Sequence, residues 1–226
     1  MPILYNHEER YYLTTSYKVM YSTLMNQQKL KKTSVLHALG NQWASRVWSA
    51  LSCPHFLLVR NPYTRVESLF RNKFRESPLR LKMYPHSKGW QDIQILFAEK
   101  LRPDARTSKM EDRLLDIDFN EYVEVLPELY TLDVHLWPQY DHSHLRYRGI
   151  HWSMAYQRTL KMENEKDLSF IQSSLNLDLS KKVNAVEPTR FPITWSSSSM
   201  AIVNTIYKKD FLWLGYDMSS KQRRTE

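Results

Sequence analysis

Apolar and polar positions along this chain alternate between two periods. "RYYLTTS" (10–16) gathers aromatic and β-branched residues in a short run and predicts a strand. "TLMNQQKLKK" (23–32) has a helical pattern that ends in lysines, where the helix dipole favours cations. A second helix is predicted over 40–51, where Trp43, Val47, Trp48 and Leu51 recur at helical spacing. "HFLLVR" (55–60) is a continuous apolar run of the kind that forms a strand covered on both faces, and "RVESLFRNKFR" (65–75) returns to the helical period.

Residues 76–116 are polar, charged and punctuated by proline. They predict an insertion that is mobile or faces substrate, with one short helix at "WQDIQILFAEKL" (90–101). "DFNEYVEVLPEL" (118–129) predicts a helix capped by Asp118. A strand follows within 158–165, then a helix over 166–177, and a closing helix over 200–216 stopped by Gly215. No internal repeat is found. Strands alternating with helices predict an α/β fold, a three-layer sandwich with a central parallel sheet, formed by one domain over 1–226 with the charged insertion at about 76–116.

Composition narrows the chemistry. Lysines and arginines number 32 against 24 acids, a net charge of +8, which suits an anionic partner without naming it. Only four glycines occur, so the chain has no glycine-rich phosphate loop of the GxxxxGK[ST] or GxGxxG type. That weighs against an ordinary ATPase or dinucleotide-dependent dehydrogenase. No run reaches the roughly 18 apolar residues of a membrane span. "MPILYNHEERYY" lacks the order of a secretory signal, so a cytoplasmic setting is the expectation. Cys53 is the lone cysteine and reads as a small buried hydrophobe. No metal is expected, since no spacing such as HExxH is present.

In a parallel α/β sheet, ligands sit outside the carboxyl ends of the strands. Two segments occupy that position. In "YKVMYST" (17–23), Lys18 follows a strand and Ser22 and Thr23 open a helix, a combination that cradles an anion. With Met20 and Tyr21 in place of glycines, this loop is expected to avoid positive φ angles. In "RNPYTRVES" (60–68), Arg60 ends the strand and Ser68 lies two turns into the helix that starts near Pro62. An arginine there needs an anionic ligand or an acid such as Glu67 or Asp210.

These segments carry a resemblance. "YKVMYSTL" resembles the 5′-phosphosulfate loop, and "LLVRNPYTRVESLFRNKF" the 3′-phosphate motif, of the carbohydrate sulfotransferase family. Arg65, Asn72, Lys73 and Phe74 stand in order within the second motif. "DVHLWPQ" (133–139), "LKMEN" (160–164) and "IYKKDFLWLGYD" (206–217) are similar to later segments of the family, so the likeness spans almost the whole chain. It departs at Tyr17, where the family has proline, and at Met20 and Tyr21, where it has small residues.

The resemblance implies a P-loop-NTPase-like sulfotransferase fold and 3′-phosphoadenosine 5′-phosphosulfate as sulfuryl donor. It places Lys18, Val19, Ser22 and Thr23 at the 5′-phosphosulfate, with Lys18 also steadying the leaving phosphate oxygen, and Arg60 and Ser68 at the 3′-phosphate. The acceptor would be a hydroxyl on a carbohydrate-type molecule, and an acidic one fits the positive charge.

Transfer to an alcohol also needs a base, and histidine is the usual group. His37 matches in spacing the base of the uronyl 2-O-sulfotransferase branch, and His135 in "DVHLWPQ" is the second candidate. Each has a plain alternative, His37 as packing near a helix start and His135 as shaping a cleft. His142, His144 and His151, among Arg146, Tyr147, Arg148 and Trp152, read as a solvated loop or a contact surface for an acidic sugar. Paired acids such as Asp116 and Asp118 offer spacing alone and do not make a glycosidase. Glu163 reads as structural or as a group that orients another side chain.

A second class, a non-catalytic protein that binds nucleotide or polyanion, stays open. Such a polyanion binder would lose affinity steeply with salt. No nucleic acid partner is expected under the first reading.

Overall fold

The computed structural model describes residues 2–17, 19–34, 37–42, 53–83, 90–105, 108–147, 150–180 and 188–218, with backbone only for 142–147 and 150–153. The chain forms two compact units, Met1–Asn61 with Gln139–Asn184, and Pro62–Pro138 with Ala185–Glu226.

The first unit is built on a sheet of five strands: β1 (Ile3–Asn6), β2 (Tyr11–Thr15), β3 (Leu30–Thr33), β4 (His55–Val59) and β7 (Arg158–Lys161), ordered β3-β1-β2-β4-β7. β2, β4 and β7 run parallel, while β1 is antiparallel to both of its neighbours. The predicted strands are present and the central pairings are parallel as expected, while two antiparallel pairings complete the sheet at the β1 and β3 end. β5 (His144–Tyr147) and β6 (Ile150–Ser153) form a separate antiparallel hairpin.

Every residue of β2 and β4 is buried, because both faces of the sheet are covered. Leu4, Leu13, Phe56 and Leu58 pack on one face with Leu24 of helix α1 (Tyr21–Met25) and Ile171 of a helix over Glu165–Ser173. On the other, Ile3 and Tyr12 pack with Ala38, Cys53 and Met154. Residues 37–42 are helical; the remainder of the helix expected over 40–51 lies outside the described residues.

The helix expected over 23–32 is also corrected. It stops at Met25, and Leu30–Thr33 becomes an edge strand with Leu30 buried and Lys31 and Lys32 exposed. Pairing with β1 outweighs the local helical pattern, and outward lysines blunt the open edge.

The second unit is helical. Helix α2 (Pro62–Phe70) runs through a π-helical turn (Arg71–Glu76) into α3 (Ser77–Met83). Phe70 and Phe74 stack across this join, with ring centroids 5.7 Å apart. The stretch expected to be largely irregular carries α3, α4 (Asp92–Leu101) and α5 (Met110–Asp116), and Ile93, Phe97 and Leu114 lie fully inside the core. Apart from the buried Arg113, its charges lie on the more exposed faces of short helices, which hid the apolar stripe.

Asp118 caps the next helix, α6 (Phe119–Glu124), accepting the N–H groups of Asn120 and Glu121, as expected. The closing helix is two helices, Ser197–Ile206 and Lys208–Leu214. They break at Tyr207, whose hydroxyl donates to the Leu136 carbonyl at 2.8 Å. Gly215 ends the second with a φ of 65°.

Candidate active site

Strand register sets the site. Thr15 pairs with Leu58, and Val59 with Lys161, so the carboxyl ends of β2, β4 and β7 lie along one edge of the sheet. Three connections leave that edge: residues 16–20, Arg60–Asn61 and 162–164.

After β2 the chain turns tightly. The Val19 N–H donates to the Ser16 carbonyl at 3.3 Å, and the Thr15 hydroxyl donates to the Val19 carbonyl at 2.7 Å. Met20 then takes the left-handed conformation, φ 52°, before α1. The expectation that a loop without glycine avoids positive φ is therefore corrected. A non-glycine residue there costs roughly 1–2 kcal/mol, held here by the Leu24 N–H on the Met20 carbonyl (2.9 Å) and by the edge-to-face rings of Tyr17 and Tyr21. The Val19 side chain is fully buried with the sheet core, Thr23 is buried and Ser22 half-buried. Lys18 lies outside the described residues.

Arg60, half-buried, is fixed through its backbone. Its N–H donates to Gln139 Oε1 at 2.9 Å, and its carbonyl accepts from Gln139 Nε2 at 2.6 Å. The next N–H, of Asn61, donates to Glu163 Oε1 at 2.8 Å, a backbone contact at the strand end. Glu67 is engaged elsewhere, accepting from Arg71 at 2.9 Å and from the Trp195 indole at 2.7 Å. Ser68 lies half-buried on α2, in the helical unit.

His37 belongs to the sheet unit. β3 runs in the direction of β2, and Thr33 and Thr14 both pair with Ile3, so the chain reaches residue 34 from the carboxyl side of the sheet, as expected. Ser34 Oγ accepts the His37 N–H at 3.1 Å, and the exposed ring has Nδ1 3.0 Å from the Tyr12 hydroxyl. Burial, helped by Cys53 and Tyr5, pushes the Tyr12 phenol up to about 12, so it stays protonated at neutral pH.

His135 belongs to the helical unit. Its Nδ1 lies 2.7 Å from Asp133 Oδ1, which also accepts the His135 backbone N–H. Burial acts to raise the Asp133 carboxyl, but the His135 hydrogen bonds and the charges of His135 and Lys73 outweigh it and hold the group below its ordinary value. Arg65 fixes the same segment, donating to the carbonyls of His135 (2.9 Å) and Trp137 (2.8 Å).

Sequence reasoning passed over His55, Tyr12, Asp133 and the role of Gln139. Nothing local marks the first two. Gln139 and Asp133 had a signal, since both stand in "DVHLWPQ". His55 is buried, with Nδ1 2.9 Å from Gln42 Nε2 and Nε2 2.7 Å from Thr14 Oγ1. The Gln42 amide nitrogen can only donate, so His55 Nε2 carries the proton and donates to Thr14. Burial pulls its pKa down to about 4. The side chains of His142, His144 and His151, and the basic and aromatic residues among them, lie outside the described residues. Among the described residues, no group of three or more His, Cys, Asp or Glu is placed to hold a metal, and no helix is long and apolar enough to cross a membrane.

No curated protein and no solved structure matches the chain. The model of the Sulfotransferase family matches residues 3–217. That match runs from β1 past Gly215 and takes in both strand-end segments, the "DVHLWPQ" loop and the strand before Glu163. The chain belongs to the Sulfotransferase family.

Proposed function

We propose that this protein moves the sulfuryl group of 3′-phosphoadenosine 5′-phosphosulfate to a hydroxyl of a carbohydrate-type acceptor, with both compact units serving one catalytic domain. The observation that carries the reading is that the two segments proposed to bind the nucleotide follow the carboxyl ends of adjacent parallel strands within the span matched to the family. Helices on both faces of the sheet support the three-layer, P-loop-like arrangement for the sheet unit.

The nucleotide, when bound, supplies an activated sulfuryl group. Lys18, Ser22 and Thr23 hold its 5′ end, and the Lys18 ammonium neutralises charge gathering on the leaving oxygen. Val19 contributes by anchoring the loop in the core. Arg60 and Ser68 hold the 3′-phosphate, the group that separates this donor from ATP.

His37 takes the acceptor proton. To accept at Nε2 the ring must carry its own proton on Nδ1 and donate it to the Tyr12 oxygen, an arrangement the hydroxyl allows because it can accept as well as donate, and the contact orients the ring. His135, oriented by Asp133, is the second candidate base.

The test is calorimetric titration with 3′-phosphoadenosine 5′-phosphate against AMP, followed by a transfer assay on a panel of sugars. One-to-one binding of the bisphosphate without AMP binding is expected. Binding that instead tracks polymer length and falls steeply with salt would establish the polyanion reading. His37→Ala should retain nucleotide binding and lower transfer by about 10²–10⁴-fold. Normal turnover by that variant moves the base to His135.

A further inference from the structure

The ladder between β2 and β4 ends at Thr15 and Leu58. Two residues further along the chain, just past the end of β4 where a neighbouring strand would supply a carbonyl and an N–H, Arg60 finds both on one side chain. Gln139 Oε1 accepts its N–H at 2.9 Å and Gln139 Nε2 donates to its carbonyl at 2.6 Å. The same Oε1 lies 3.4 Å from the Ser16 hydroxyl at the end of β2. Gln139 is 1% exposed, so no water competes for these groups.

On the opposite side, β7 continues one step further. The Met162 N–H donates to the Val59 carbonyl at 3.0 Å, and Glu163 takes the Asn61 N–H. The Arg60–Asn61 backbone is thus held from both sides, by side chains that belong to neither anion-binding segment. A primary amide suits this position because it presents one donor and one acceptor side by side, the pattern of a strand edge.

We infer that Gln139 is a positioning residue for the nucleotide: it stands in for strand backbone where β2 and β4 part, and fixes the direction in which the Arg60 side chain leaves the sheet. The inference rests on the proposed function, in which Arg60 reads the 3′-phosphate. It makes recognition of that phosphate, rather than nucleotide binding in general, depend on a residue remote in sequence.

Two variants test it. Gln139→Met keeps length and volume but offers neither donor nor acceptor. Gln139→Glu keeps an acceptor for the Arg60 N–H and Ser16 but cannot donate to the Arg60 carbonyl, and it carries the test if the methionine variant does not fold. Binding of 3′-phosphoadenosine 5′-phosphate is measured by calorimetry, and of adenosine 5′-phosphosulfate, which lacks the 3′-phosphate, by calorimetry or displacement.

Loss of one to two buried hydrogen bonds predicts about a tenfold weaker affinity for the bisphosphate and a change under about twofold for the phosphosulfate. An equal loss for both nucleotides would reveal general damage to the site and overturn the inference, as would unchanged affinity for the bisphosphate. Absence of bisphosphate binding by the unsubstituted protein would remove the functional reading itself, and this inference with it.

Discussion

Arg60 closes the strand run of the sheet unit, and Arg65 stands in the first helix of the helical unit; both belong to the segment that resembles the family's 3′-phosphate motif. Arg60 is half-buried, and its backbone is held on both N–H and carbonyl by Gln139. Arg65 is 2% exposed and gives guanidinium hydrogen bonds to the carbonyls of His135 and Trp137, with the Tyr207 ring 5.8 Å away. One arginine has its main chain held; the other holds main chain.

The same division runs through each unit. The sheet unit buries mostly neutral polar side chains, among them Thr14, Thr15, Ser16, His55 and Gln139, and uses them on strands and at strand ends. The helical unit uses guanidinium groups. Arg113 donates to the carbonyls of Ala98 and Arg102, and Arg75 to those of Phe74, Leu114 and Ile117.

Element length explains the difference. Helices as short as four to ten residues leave most of their last carbonyls without intrahelical partners, and an arginine supplies several donors from one residue. A sheet satisfies its own backbone except where strands part, and there one amide suffices.

The largest expected effect separates the two arginines. Arg65→Met should destabilise the protein by about 2–4 kcal/mol, since it removes the hydrogen bonds of a buried guanidinium to two carbonyls, whereas Arg60→Met should change stability by under about 1 kcal/mol. In nucleotide titrations Arg60→Met should bind about 100-fold more weakly. Urea unfolding of both variants checks the first part, and equal losses of stability would break the comparison.

His55 sharpens the account of the sheet unit. Its folded pKa near 4 lies below the ordinary 6.5, so the folded state resists protonation that the unfolded chain accepts. Stability from this group is complete above about pH 6.5 and declines as pH falls toward 4, by about 2 kcal/mol between pH 7.5 and pH 5. Urea unfolding at those two pH values should show the loss, and His55→Gln should remove that share of it.

The smallest effect concerns Met20. Met20→Gly relieves the left-handed strain and should raise stability by up to about 1 kcal/mol, read as a higher urea midpoint with an unchanged slope. A lower midpoint would show that the contacts of the methionine side chain outweigh its backbone cost.

The order of strands and of the segments that follow them was legible in the sequence, because a buried strand, a turn and a helix start each leave a local mark. Asp118 and Gly215 were readable for the same reason, as caps declare themselves within one turn. The edge strand Leu30–Thr33 was not, since its pairing with β1 is a long-range event that overrode a helical pattern. Nor was the left-handed Met20, which neighbouring contacts impose on a residue that does not prefer it.

The chain by itself thus determined the family, the order of its strand-end segments and the residue types they contain. Only the tertiary structure decided which arginine is structural, which histidine is buried and neutral, and that Gln139 stands beside Arg60. Those assignments depend on hydrogen-bond partners 79 residues apart for Arg60 and 70 and 72 for Arg65, and no local period or cap encodes a partner at that distance.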